Sequence, residues 1–149
     1  MKKTILLILA LILTACSVAA PSDFDRNRQT WQDANVPHYS FDLFVGCFCA
    51  FRDKMPLTVE VQNGEIVSMT YPHGTLVEAT DPSYDIFTKY GTIDRIFSVL
   101  EAGLKGEAED ITVTYDSTHG FPADIYFDYI RAAADDELSI QVSNFEVLI

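Results

Sequence analysis

A chain of 149 residues with 22 acidic against 10 basic side chains carries a formal charge of −12. That balance excludes a nucleic-acid binder, because phosphate recognition needs a basic stripe, and a domain lying flat on anionic lipid. The length suffices for one domain with a sizeable core that does not depend on staples, so the acidity serves solubility or a cationic partner.

Residues 1–15, MKKTILLILALILTA, read as an export signal. Lys2 and Lys3 form a basic start and Thr4 to Leu13 an apolar run. That run falls well short of the ~20 apolar residues that span a bilayer. Leu13-Thr14-Ala15-Cys16 resembles the bacterial lipobox, which makes Cys16 the acylated first residue of the mature chain. The plainer alternative is an ordinary secretory peptide with a cysteine after its small residues. Loss of Lys2 and Lys3 takes the formal charge from −12 to −14. Residues 16–22 form a linker of about 20 Å at ~3.5 Å per extended residue, so the domain, 23–149, sits close to its membrane.

Ser22 is placed to cap a helix over 23–34, with Asp23 and Asp25 at its positive end and Phe24 and Trp31 two turns apart facing the sheet. Val36-Pro37 ends it, since the residue before proline avoids helical angles. Alternation follows: Tyr39, Phe41, Leu43, Val45, Cys47 and Cys49 share one face, opposed by Ser40, Asp42, Phe44, Gly46 and Phe48. Strands at 57–62 and 65–71 flank Asn63-Gly64, a strong hairpin signal because both positions tolerate positive φ. A plain two-residue turn pairs Val61 with Ile66 but leaves Val67, Met69 and Tyr71 on the face of Thr58 and Glu60. Either both faces are partly covered or a bulge changes the register.

Residues 72–91 hold two prolines and two glycines without a sustained period and read as a long loop. Thr92 then caps a helix running to 105, with Ile93, Ile96, Phe97, Leu100 and Leu104 at helical spacing and Lys105-Gly106 closing it. Three strands follow, over 111–116, 121–129 and 137–147, each with one cleanly apolar phase. Trp31, Phe97, Leu100, Val113, Ile125 and Ile140 are expected in the core. The fold class is α+β: an antiparallel sheet of about six strands with two helices on one face, in the order α-β-β-β-α-β-β-β.

An ordered set of short motifs runs through this frame: Trp31, Tyr39-Ser40, Cys47-Phe48-Cys49, Asn63-Gly64, Thr92-Ile93-Asp94 with Phe97, Tyr115-Asp116, Gly120-Phe121-Pro122 and Asp135-Asp136-Glu137. From Trp31 to Phe145 the chain resembles DUF6174, a domain of unknown function found in small bacterial lipoproteins. The resemblance implies an exported, often lipid-anchored protein without an established activity. Asn63 stands where that family often has aspartate, and the turn accepts either.

With Cys16 committed to lipid, Cys47 and Cys49 remain. Three readings stay open: a local disulfide, reduced thiols packed as small core residues, or a thiolate redox or Cu(I) site with Met55 and Met69 as soft neighbours. Geometry resists the first, because residues two apart in a strand sit ~6.5 Å apart at Cα with diverging Cβ atoms, and Gly46 would have to supply a kink. Cys-x-Cys alone gives two ligands, and His38, His73 and His119 read as solvated loop residues, so no metal or cofactor is assigned. No nucleophile elbow, zinc-protease motif, phosphate loop or EF-hand spacing is present. Asp116-Ser117-Thr118-His119 reads as a hairpin turn rather than a triad fragment, and Asp135-Asp136-Glu137 as a solvated loop with a weak claim to a cation.

The reading is a non-enzymatic, lipid-anchored envelope module that binds a protein or small molecule or supports the envelope. Ser17 after the lipidated cysteine resembles the pattern for outer-membrane delivery toward the periplasm. The alternatives are a thiol-based redox or Cu(I)-handling protein at Cys47 and Cys49 and, on fold analogy alone, a proteinaceous inhibitor.

Overall fold

The computed structural model describes residues 22–131, 133 and 135–149. The expected export signal, the expected lipid site at Cys16 and residues 17–21 of the expected linker lie outside them. The elements run α1 (Asp23–Ala34), β1 (His38–Gly46), β2 (Leu57–Gln62), β3 (Glu65–Thr70), α2 (Tyr84–Tyr90), α3 (Ile93–Ala102), β4 (Asp110–Tyr115), β5 (Pro122–Asp128) and β6 (Leu138–Val147). All five strand pairings are antiparallel, in the order β3-β2-β1-β6-β5-β4. The first and last strands are therefore neighbours at the centre. Among the described residues no helix is long and apolar enough to cross a membrane.

The α+β class stands, with three helices rather than two. The third is α2, inside the stretch 72–91 that reads as loop. Seven residues are too few to display a helical period, yet Phe87 and Tyr90 are both buried. The loop before it is fastened by Asp81, which accepts from the Tyr71 hydroxyl at 2.6 Å, the Ser83 N–H at 2.8 Å and Lys54 Nζ at 3.1 Å. Together they hold its carboxyl down at about 2, the Tyr71 bond contributing most.

At α1, Ser22 and Asp25 exchange hydrogen bonds in a capping box, and Asn35 closes the helix with φ 44°. Thr92 Oγ1 accepts from Arg95 N at the start of α3, and the buried Tyr39 hydroxyl accepts from Ile93 N at 3.2 Å. Burial pushes that phenol up to about 12.

The alternation places Tyr39, Phe41, Leu43, Val45, Ile125, Phe127, Leu138, Ile140 and Val142 on the inner face against Trp31, Phe97 and Leu100. The opposite phase, including Thr58, Asp124, Gln141 and Ser143, faces solvent. Val113 is only half-buried because β4 is an edge strand. Leu104 is exposed, since α3 gives way at Gly103 to a π turn that carries it off the apolar stripe.

The β2–β3 hairpin resolves through a bulge. Val61 pairs with Ile66 but Glu60 pairs with Ser68, so Val67 is the extra residue. Met69 then faces inward opposite Val59, while Val67 is exposed. A second bulge in β6, between the partners of Ser40 and Asp42, turns Phe145 toward Trp31 and Tyr39.

Candidate functional site

Gly46 is the last residue of β1. A Cβ there would collide with Ser139 Oγ and crowd the Phe44 ring, so β1 and β6 approach closely where the chain leaves the sheet. The next residues bend, and Cys47 and Cys49 close a disulfide across a Cα–Cα distance of 5.2 Å. Ending the strand at Gly46 removes the geometric obstacle, because the pair no longer has the ~6.5 Å spacing of extended residues. The disulfide reading stands and the reduced-core reading falls. Placement of both cysteines on the inner face of β1 is corrected: they are half-buried at the end of the sheet, outside the strand.

The chain beyond the bridge is held firmly. Phe51 is buried edge-on to Phe87 with ring centroids 5.1 Å apart. Arg52 N donates to the Cys49 carbonyl at 3.2 Å, and Lys54 reaches Asp81. With the bridge on one side and the Phe51 plug on the other, Phe48 at the tip is 83 % exposed.

Pairing of β1 with β6 sets Gly46 opposite Ser139 and so brings the acidic run 135–137 beside the bridge. A cleft of about 260 Å³ lies between them, lined by Phe44, Cys47, Phe48, Arg52 and Tyr126 together with Asp135, Glu137 and Ser139. A second hollow of about 550 Å³ borders Phe48, Cys49, Ala50 and Asp53. The two motifs that the sequence keeps more than eighty residues apart thus share one site.

Asp135 and Glu137 share the cleft lining with Arg52. The Asp128 carboxyl is raised from its ordinary value, through desolvation first and then repulsion by Asp136 and Glu137. The Tyr126 phenol is likewise raised by desolvation and by Glu137, Asp128, Asp136 and Asp110. Both carboxylate oxygens of Asp136 are buried without a hydrogen-bond partner among the described residues. Arg52 takes part in none of the ion pairs found among those residues.

A family model described as a family of unknown function, DUF6174, matches residues 23–147. The chain belongs to that family. Comparison with curated proteins and with solved structures gave no match. For this DUF6174 chain the matched span takes in every helix and strand described above.

The remaining candidates lie elsewhere. Met55 and Met69 are buried core residues and line neither hollow beside the bridge, so they do not serve it as soft neighbours. No group of three or more His, Cys, Asp or Glu side chains able to hold a metal ion occurs among the described residues. Of the three histidines read as loop residues, His73 and His119 do lie in turns, whereas His38 belongs to a strand. His38 opens β1 and its Nε2 lies 2.8 Å from Glu60 Oε1; His73 stacks on Tyr71; His119 Nδ1 lies 3.2 Å from Asp116 Oδ1. Asp116 also accepts from the Thr118 and His119 amides, which makes the Asp116–His119 stretch a turn.

Phe44, Phe48, Arg52 and Tyr126 were not singled out by the sequence reading. A signal for three of them was present: Phe44 and Phe48 occupy the polar phase of β1 and its extension, and Tyr126 falls between Asp124 and Asp128 on the polar phase of β5. An aromatic ring out of phase with the core marks a candidate contact surface: Phe48 and Tyr126 are exposed, while Phe44 is partly buried against the core.

Proposed function

We propose that this protein is a lipid-anchored, non-enzymatic module of the cell envelope that works by binding a partner at the Cys47–Cys49 end of its sheet. Cys16 carries the lipid, and Ser17 directs the chain to the outer membrane, facing the periplasm, in a cell with two membranes. The observation that carries the reading is Phe48, a ring 83 % exposed and tied outward by a disulfide beside a cleft that holds Phe44 and Tyr126. Leaving such a ring in water forgoes ~1.5–3 kcal/mol, which a partner that covers it recovers.

A photoreactive side chain in place of Phe48, introduced in living cells, tests this. A discrete adduct is expected from position 48 and none from Gln62, which is exposed at the far end of β2. No adduct at 48, or the same adducts from both positions, overturns the reading.

A second reading, thiol–disulfide exchange or Cu(I) handling, has one observation in its favour: Cys47 and Cys49 are only partly buried and both border the larger hollow, with Cys47 bordering the cleft as well. Thiols of the native protein that react without denaturant, and become protected when Cu(I) is added, would establish it over the first.

A further inference from the structure

We propose that the chain's own residues 17–21, Ser-Val-Ala-Ala-Pro, lie along the free edge of β4 and fill the apolar groove between that edge and the start of α1. This surface shares no lining residue with the Phe48 site, so the two stand or fall separately. The sheet has two edges, β3 and β4. β3 is blunted by its bulge at Val67 and by the chain that follows it, where Leu76 bridges Thr70 and Val77 N donates to the Met69 carbonyl at 2.8 Å. β4 pairs with β5 alone, so alternate residues present outward amides and carbonyls that find no backbone partner among the described residues. Its sequence, DITVTY, holds neither the lysine nor the proline that commonly guards an edge. Its inward phase, Ile111, Val113 and Tyr115, is left only partly buried.

Beside that edge lies a groove of about 460 Å³ whose apolar lining is Phe24, Leu104, Val113 and Tyr115. Leu104 is half exposed there although its neighbours are apolar. The charges on the rim are already matched: Asp25 with Ser22 in the capping box, Asp23 with Arg26, and Glu101 with Arg28 and Lys105. What the groove offers an occupant is apolar contact and one row of backbone hydrogen bonds, which an extended, uncharged segment satisfies.

Connectivity names that segment. Ser22 itself lines the groove, so residues 17–21 join the domain at that point. They extend ~16 Å at ~3.3 Å per residue, most of the length of the six-residue β4. Val18, Ala19 and Ala20 are apolar and uncharged, and Pro21 has no amide to leave unpaired where the segment gives way to the helix cap. Being tethered, they compete at ~millimolar effective concentration against any separate strand. A second copy is opposed by charge: each chain carries −12, and pairing β4 with itself about Val113 would set Asp110 against the copy's Asp116. With a lipid on Cys16, docking would hold the sheet in one orientation to the membrane instead of letting it swing on a tether of about 20 Å.

The test uses the protein purified in detergent from its host with its natural N-terminus. Methyl NOEs are expected from Val18 to Leu104 or Val113. The β4 amides that do not donate to β5 should exchange at least about tenfold more slowly than in Val18→Asp/Ala20→Asp, whose charged side chains cannot enter the groove. Val18→Ile should retain the protection. Folding of each variant is verified by the cross-strand NOEs between β5 and β6, which lie away from the substituted residues.

Equal exchange of those amides in the native and doubly substituted proteins overturns the proposal, as does the absence of any contact from Val18 to the groove. Contacts to Leu104 from an acyl chain on Cys16 in place of Val18 overturn it too. Protection that is lost on dilution assigns the edge to a second copy and has the same effect. None of these results bears on the position-48 adduct, which tests the binding reading by itself.

Discussion

Replacing Asp81 by asparagine should destabilise the protein in a pH-dependent way. Asparagine is nearly isosteric and can still accept from Tyr71 and Ser83, so the change removes the charge and keeps the shape. A carboxyl whose ionisation moves on folding from the ordinary 3.8 to about 2 gains at most ~2.5 kcal/mol. Solvent screening of a partly wet side chain, 15 % exposed and paired with a Lys54 that is 44 % exposed, reduces this to ~1–2 kcal/mol. Because the folded-state value is the lower one, the stabilisation is complete above the unfolded value of 3.8 and is lost as pH falls through about 2. Urea denaturation of native and Asp81→Asn protein should therefore differ by ~1–2 kcal/mol at neutral pH, with the gap closing as pH falls below ~4. A gap that stays constant down to the folded-state value, or none at neutral pH, would refute the assignment of the charge to this network.

Gly120→Ala should cost about 2–4 kcal/mol, because φ is +77° and a Cβ would lie 2.6 Å from the Asn27 carbonyl and 2.8 Å from Thr30 Cβ in α1. Gly64→Ala, with φ +80° and open space, should cost only ~1 kcal/mol, so chemical denaturation that ranks the two equally contradicts the packing of α1 on that turn. Cys47→Ala/Cys49→Ala should fold with its melting temperature little changed, because a bridge between residues two apart closes almost no loop and contributes far less than the ~3 kcal/mol of a fifteen-residue one. Native protein should show no free thiol at these positions without reductant and two after reduction. Mass spectrometry of the mature N-terminal peptide should find acylated Cys16 with nothing before it, and full membrane partitioning of Cys16→Ala would contradict the anchor.

Local pattern carried most of the strands. Alternation located β1, β2, β4, β5 and β6, and Asn63-Gly64, with φ of 52° and 80°, is the turn its dipeptide announces. The inward turn of Met69 was legible only as a conflict, because a period of two reports parity and not the place where Val67 drops out of register. Helix α2 shows no period in seven residues and is held by contacts from elsewhere, notably Phe51 on Phe87. The candidate site was visible as fragments. Cys47-Phe48-Cys49 and Asp135-Asp136-Glu137 each stood out, but their meeting depends on the pairing of the first strand with the last, which no local rule encodes. The cysteines were placed one turn of the alternation too far into β1, because nothing in a two-residue period marks the point where Gly46 ends the strand.

Whether the disulfide fixes Phe48 as a contact surface is decided by comparing the position-48 photo-adduct in native protein and in a Cys47→Ser/Cys49→Ser background, with equal melting temperature verified in both. If the bridge presents the ring, the adduct should fall at least about fivefold when the bridge is removed, since a loop free to reorient loses the preorganisation that favours binding. An adduct of undiminished yield from the bridge-free protein would contradict the claim.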